Sequence, residues 1–351
     1  MKRNMPESEG MPLFPVDKIS GDIATPLREK ASENADLLEI RHLQKTYHNQ
    51  AVNFFEKGTT IEALDDVSFT IRQGEIFGLV GESGCGKSTL GRAILGLVPE
   101  VRGEIFIEGH KVSGIKNLSP KVQIVFQDPL SALNPRKKIG WILEEPLKIH
   151  KLGDKAARIK RVNEILKWIG LDESFRERYP RELSGGQRQR IGIGCALMLN
   201  PKLIVADEPV SALDVSVQAQ ILNLFLDLHH QLNLAYLFIS HNLNVVYYLC
   251  DRVAVMYAGK IVELAPVDQL YDHPLHPYTR ILLDAIPKVG VEPLKPVPIG
   301  GEAPDLANTI RGCAFYPRCP NALEICGTES AELLPVPSQG EHWLRCHGIR
   351  K

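Results

Sequence analysis

The sequence predicts an α/β protein. It has a β-rich antiparallel opening, a parallel-sheet core around a phosphate-binding loop, an inserted helical block and a small cysteine-rich C-terminal extension. Three observations carry this. The apolar run Ile76-Phe-Gly-Leu-Val80 leads into Gly81-Glu-Ser-Gly-Cys-Gly-Lys87-Ser88-Thr89, which fits G-x-x-x-x-G-K-[ST], and apolar residues at helical spacing follow from Thr89 to Leu97. Strand, glycine loop and helix in that order form the setting a phosphate-binding loop requires. Two further short apolar runs, Lys202-Leu-Ile-Val-Ala206 and Ala235-Tyr-Leu-Phe-Ile239, read as strands buried on both faces, as in a parallel sheet. Alternating runs at 37–43 and 61–71, with a strand-turn pair at 103–109, make the first part β-rich.

Composition bounds the function. The chain has 351 residues, 44% hydrophobic and 24% charged, with a formal net charge of −1. It is long enough for a large core, and it lacks the basic field of a nucleic-acid binder. No apolar run is long enough to cross a bilayer. Lys2 and Arg3 are followed by Pro, Glu and Ser rather than an apolar core, so the expectation is a cytoplasmic protein without a secretory signal. Of seven cysteines, Cys85, Cys195 and Cys250 are scattered and four cluster near the end. In a reducing compartment that pattern argues for a metal or cluster site over disulfides.

Residues 1–36 are rich in Pro, Ser, Glu and Lys and read as a mobile tail. A nucleotide-binding domain is expected over 37–268, with its helical block at about 128–190, and an extension over 269–351. Val122 to Phe126 is a short strand ending in Gln127-Asp128-Pro129, and the pattern turns helical from Ile139 to Glu177. Leu183-Ser184-Gly185-Gly186-Gln187 opens the next helix, with Ser184 and Gln187 at capping-box spacing. Two glycines leave that helix start bare, which suits an anion; taken alone the spacing fits a well-capped helix without a ligand first, though a cap has no need of two glycines that each cost about 1 kcal/mol in a helix relative to alanine. Arg252-Val-Ala-Val-Met256 and Lys260-Ile-Val-Glu-Leu264 flank Tyr257-Ala-Gly259 and read as a hairpin.

The chemistry follows from residue types. Gly81, Ser83, Gly84, Cys85 and Gly86 form a loop whose glycines let the backbone curl around phosphates. Lys87 would reach the β- and γ-phosphates, Ser88 would bind Mg²⁺, and Thr89 would lie near the α-phosphate. Asp207 and Glu208 end a core strand, where open parallel sheets place ligands. Two adjacent acids there are costly unless solvated or engaged with a cation. Asp207 fits a Mg²⁺ partner and Glu208 a base that polarises water. His241 follows the next core strand on the same edge, within reach of a terminal phosphate.

Taken in order, Tyr47, the phosphate loop, Gln127, Leu-Ser-Gly-Gly-Gln, the Asp-Glu strand end, Ser211-Ala-Leu-Asp214 and His241 resemble the ATP-binding cassette (ABC) ATPases over roughly residues 37 to 330. The resemblance implies a RecA-like core that hydrolyses ATP with Mg²⁺. It implies that Tyr47 stacks on adenine and that Gln127 senses Mg²⁺ and the attacking water. It implies that Ser184, Gly185, Gly186 and Gln187 contact the γ-phosphate held by a facing ATPase, that Asp214 lies across that interface, and that His241 holds the γ-phosphate. Gly81 to Arg92, Phe126 to Pro135, Val210 to Gln220 and His276-Pro-Tyr-Thr279 are similar to the oligopeptide and dipeptide importer branch. The cysteine in the phosphate loop resembles the second ATPase of that branch's pair. Asn242 and Cys195 depart from it, standing where Asp and Arg are usual.

A Pro-rich linker precedes Cys313, Cys319, Cys326 and Cys346. These suggest thiolate ligation at a spacing wider than zinc ribbons use. The branch's similar tail implies a [4Fe–4S] cluster, with zinc second and free thiols third. The resemblance also implies partners: a second ATPase (heterodimer first, homodimer second), two membrane permeases, indirectly an extracytoplasmic solute-binding protein, and no nucleic acid. It places the chain at the cytoplasmic face of the inner membrane. The alternatives are the same motor for oligosaccharide or nickel, a soluble ABC ATPase, and a non-hydrolysing regulatory subunit. Intact Lys87, Asp207, Glu208 and His241 argue against the last.

Overall fold

A computed structural model describes residues 36–49, 59–114, 118–286, 311–337 and 339–348. Residues 1–35 of the expected tail, the connection carrying Phe54 and Phe55, and most of the Pro-rich linker lie outside the described residues, and Asp36 already opens β1. The elements run β1 (Asp36–Asn49), β2 (Thr59–Arg72), β3 (Ile76–Val80), α1 (Lys87–Ile94), β4 (Arg102–Ile107), β5 (His110–Lys111), β6 (Val122–Val125), α2 (Pro129–Ala132), α3 (Ile139–Ile149), α4 (Lys155–Trp168), α5 (Gly185–Leu197), β7 (Leu203–Asp207), α6 (Val215–Leu232), β8 (Ala235–Ser240), α7 (Leu243–Leu249), β9 (Arg252–Tyr257), β10 (Lys260–Pro266), α8 (Val267–Asp272), α9 (Pro277–Asp284), β11 (Leu334–Pro335) and β12 (Trp343–Leu344).

Two sheets form. β2, β1, β4 and β5 make an antiparallel sheet in that order; the larger sheet runs β11-β12-β10-β9-β3-β8-β7-β6. Strands β9, β3, β8, β7 and β6 are mutually parallel, and β10, β12 and β11 extend one edge antiparallel. Every residue of β3, β7 and β8 is buried, as their unbroken apolar runs require. Alternate side chains serve opposite faces. Ile76, Val80, Ile204, Ala206, Tyr236 and Phe238 pack toward the helices α3 to α8. Phe77, Leu79, Leu203, Val205, Leu237 and Ile239 pack toward α1 and the antiparallel sheet. Each Ile, Leu, Val or Phe side chain among them contributes about 1.5–3 kcal/mol by leaving water.

The helical block lies between β6 and β7 and packs back on α5. Leu143, Ile165 and Ile169 meet Gly194 at 3.0–3.3 Å from where a Cβ would stand, so α5 approaches α3 and α4 closely. Asp154 caps α4 by accepting from the Ala157 N–H at 2.8 Å. The expected boundary at residue 268 falls inside α8, and β12 pairs directly with β10. The chain's last described segment therefore adds strands to the main sheet. His342 and Glu263 form a fully buried pair at 2.7 Å across that junction.

Candidate functional site

The parallel register brings three strand ends into one row. Val80 of β3 lies beside Ser240 of β8, and Asp207 of β7 lies beside Ile239. Gly81, Glu208 and His241 thus follow at the same edge of the sheet.

At the phosphate loop, Gly86 caps α1 at φ +111 with no side-chain hydrogen bond. A Cβ there would stand 2.2 Å from the Ala63 carbonyl oxygen, so only glycine fits. The Lys87 ammonium is buried and donates to the carbonyls of Gly81 at 2.7 Å and Glu82 at 2.8 Å. The Cys85 carbonyl accepts from Gly259 at 2.9 Å, so the β9–β10 turn braces the loop. Burial pushes the Cys85 thiol up, with Lys87 opposing. Ser88 Oγ donates to Asp207 Oδ1 at 3.0 Å. Burial pushes the Asp207 carboxyl up, Ser88 opposes it and Glu208 adds to the rise. Two hard oxygen donors meeting beside a half-relieved carboxylate suit Mg²⁺. Bound there, the ion would supply charge neutralisation between phosphate oxygens.

Glu208 adopts φ +48, a left-handed conformation that costs a non-glycine residue about 1–3 kcal/mol. Its N–H donates to the Ile239 carbonyl at 3.0 Å and its own carbonyl accepts from Ser211 N–H and Oγ. These bonds hold the bend that aims the carboxylate off the strand. Glu208 Oε2 lies 3.1 Å from His241 Nδ1. A carboxylate fixed against an imidazole at a phosphate-site edge is able to orient a water and accept its proton.

Gln127 is exposed and lies two residues past the Val125–Ala206 pairing, next to the strand carrying Asp207. Tyr47 is 38% exposed on β1, with Lys45 Nζ 4.9 Å from its ring centroid. Its register partner Ile61 is two residues from Ala63, which touches the Gly86 turn.

Ser184 and Gln187 form a reciprocal capping box, at 3.3 Å and 3.0 Å. A Cβ on Gly186 would meet Val217 of α6 at 2.5 Å, so this glycine also has a packing reason. Among the described residues no hydrogen bond or ion pair joins Ser184, Gly185, Gly186 or Gln187 to the Gly81–Thr89 loop. Asp214 is the N-cap of α6 but its side chain makes no cap hydrogen bond, and with Val215 at 82% it is exposed. The two departures are structurally mild. Asn242 caps α7 by accepting from Asn244 and Val245. Burial drives the Cys195 thiol up to about 12.

Residues 64–211 match the ABC transporter family and 262–326 the oligopeptide/dipeptide transporter C-terminal region. The chain is 45% identical over 326 residues to the oligopeptide transport ATP-binding protein AppF of Bacillus subtilis (strain 168), covering 90% of this chain and 98% of that one. The chain belongs to the ABC transporter ATP-binding proteins, in their oligopeptide and dipeptide branch. It is 46% identical over 306 residues to the dipeptide transport ATP-binding protein DppF of Haemophilus influenzae, covering 86% and 93% of the two chains. The cassette MJ0796, solved as a dimer in a post-hydrolysis state bound to ADP and Pi, superposes with a TM-score of 0.57 at 30% identity, over 66% of this chain and 98% of that one. This chain is accordingly an ATPase of the ABC fold.

The Cys313 thiol is pushed up by burial, with a Phe315 backbone bond opposing and Cys326, Cys319 and Cys346 adding to the rise, so the four share one neighbourhood. Soft thiols suit iron–sulfur or zinc. Yet among the described residues no group of three or more His, Cys, Asp or Glu is arranged to hold a metal ion. As placed, the four thiols do not close on a single metal position.

Sequence reasoning missed Glu82, Tyr257, Tyr278 and Arg318 around the loop. Tyr278 lies in the branch-like His276-Pro-Tyr-Thr279 stretch and is fully buried, and its hydroxyl accepts from the Glu82 N–H at 2.9 Å. That stretch was the available signal; nothing in the linear sequence ties Arg318 to residue 82.

Proposed function

We propose that the chain is the ATP-hydrolysing subunit of an importer of oligopeptides or dipeptides. It would act at the cytoplasmic face of the membrane with two permeases, a second ATPase and, indirectly, a solute-binding protein. The observation that carries the ATP chemistry is the single row of Lys87, Ser88–Asp207 and Glu208–His241 at the sheet edge. Peptides as cargo are supported by the match of 262–326 to the oligopeptide/dipeptide C-terminal region and by the relatives' names.

In this reading Gly81, Ser83, Gly84, Cys85, Gly86, Lys87 and Thr89 hold the triphosphate, and Tyr47 stacks on adenine. Ser88, Asp207 and Gln127 hold Mg²⁺. Glu208, aimed by its bend and by His241, accepts a proton from the attacking water while His241 stays at the terminal phosphate. Ser184, Gly185, Gly186, Gln187 and Asp214 complete a second chain's site, which favours a pair of ATPases, a heterodimer before a homodimer. This is supported by the exposure of Ser184, Asp214 and Val215. Among the described residues no helix is long and apolar enough to cross a membrane, which agrees with separate permeases. The [4Fe–4S] cluster at Cys313, Cys319, Cys326 and Cys346 is supported by the thiols' shared neighbourhood alone; iron content and absorption after anaerobic purification test it.

The test of the main reading is ATP turnover alone and with partner ATPase, permeases and peptide-loaded binding protein. Turnover that rises with the full set and collapses in Glu208→Gln supports it. Partner-independent turnover, or stimulation by nucleic acid, overturns it.

A further inference from the structure

Glu82 is the second residue of the phosphate loop, and the cysteine-rich segment reaches it from 236 positions away. Arg318 Nη2 donates to Glu82 Oε1 at 2.9 Å and Nη1 donates to Glu82 Oε2 at 3.0 Å. Nη1 also donates to Tyr257 Oη at 3.1 Å. The Arg318 side chain is 6% exposed and that of Glu82 23%. A two-pronged guanidinium–carboxylate pair with one partner desolvated fixes geometry as well as charge.

The rest of Glu82 is held too. Its N–H donates to Tyr278 Oη at 2.9 Å, and its carbonyl accepts from Lys87 Nζ at 2.8 Å. Lys87 is the loop's cation, so it and Arg318 grip the same residue from two sides. The segment carrying Arg318 is itself anchored. The Cys313 N–H donates to the Cys326 carbonyl at 2.8 Å, and Arg345 bonds the Ile261 and Asp66 carbonyls at 3.0 Å and 3.1 Å.

We propose that Arg318 is a positioning residue for nucleotide binding: through its pair with Glu82, the cysteine-rich segment sets the affinity of the phosphate loop. The pair does two things. It fixes the backbone at Glu82, whose carbonyl orients Lys87. It also neutralises a carboxylate standing beside a site for polyanions. Without Arg318, Glu82 competes with phosphate for Lys87. The C-terminal segment is thus a brace on the loop as well as an extension of the sheet. This rests on the loop being the nucleotide site.

The experiment is MgADP and MgATP binding to the full-length chain by calorimetry, for wild type, Arg318→Met, Glu82→Gln, the double variant and Lys87→Ala. Arg318→Met should weaken both nucleotides about five- to tenfold, within the usual range of coupling between sites. In the Glu82→Gln background the same change should matter less than about twofold, because its partner charge is gone. Arg318→Lys, which keeps the charge and loses the fork, should fall between. In the assembled ATPase the loss should appear as a raised KM with kcat unchanged. Equal weakening in both backgrounds means Arg318 serves the fold alone and overturns the proposal, as does unchanged affinity in Arg318→Met. If Lys87→Ala binds nucleotide like wild type, the nucleotide-site reading itself fails, which is a separate result.

Discussion

Two helices of this chain have glycine at their start, α1 as its N-cap and α5 in its first turn, and they face an anion differently. At α1 the N-cap is Gly86, no side chain satisfies the first N–H groups, and the Lys87 ammonium is buried within the loop. At α5 the chain closes its own start: Ser184 and Gln187 satisfy each other's N–H groups and Arg188 donates to the Leu183 carbonyl at 2.6 Å. Orphan donors and a buried cation favour phosphate on α1 without help. The α5 start keeps a helix dipole and bare glycines but has spent a donor on its cap. In the proposed reading it would add a contact to a phosphate that another surface already holds. That reading divides nucleotide binding and the second contact to its terminal phosphate between the two helix starts, and the division is open to experiment.

The largest expected effect separates chemistry from binding at the α1 side. Glu208→Gln should lower kcat by about a hundredfold or more, the usual scale for a removed general base, with nucleotide affinity kept. A parallel loss of affinity would mean the bend at Glu208 shapes the loop instead.

Next is the loop's geometry. Gly86→Ala places a Cβ against the Ala63 carbonyl at a residue with φ +111. It should lower stability by about 1–3 kcal/mol and remove nucleotide binding, read by urea unfolding and calorimetry. The matching change at Gly185 should be mild, since its Cβ would make ordinary contact with Leu213 at 3.4 Å.

A pH-dependent effect concerns a third helix start. His276 caps α9 by accepting from the Tyr278 N–H at 3.1 Å, and Tyr278 in turn holds Glu82. Burial drives the His276 imidazole from 6.5 down to about 4, with Glu263 acting the other way. The unfolded chain takes a proton below pH 6.5 that the folded chain refuses until about pH 4. Stability from this group is thus complete above pH 6.5 and is lost as pH falls toward 4, by up to about 3 kcal/mol. His276→Asn keeps a cap acceptor without the titration, so its unfolding free energy should depend less on pH between 7 and 4.5. An unchanged slope would place the acid sensitivity elsewhere.

Much of this was legible in the sequence because it is local. The loop, its strand and its helix are contiguous, and unbroken apolar runs marked β3, β7 and β8 as doubly buried. Asp207, Glu208 and His241 could be placed on one edge because they follow parallel core strands. What escaped is long-range. Leu334–Pro335 and Trp343–Leu344 are two-residue strands, too short for any alternation to show, yet they extend the main sheet through β10. The Arg318–Glu82 pair joins residues with no shared periodicity. The left-handed bend at Glu208 has no residue signal either, since glutamate is a poor choice for it. The four cysteines signalled a metal by composition, but composition does not fix the side-chain geometry that ligation demands.

The division between the two helix starts is tested most directly by nucleotide binding to the isolated full-length chain, comparing Gly185→Asp with Lys87→Ala. An acid in the first turn suits the helix dipole, so Gly185→Asp should fold normally while repelling a γ-phosphate brought by a facing chain. The account predicts that Lys87→Ala loses about a hundredfold in MgADP affinity, that Gly185→Asp changes it less than about twofold, and that both abolish turnover in the assembled importer. Equal loss of affinity in the two variants would show that α5 serves this chain's own nucleotide, and the division would be wrong.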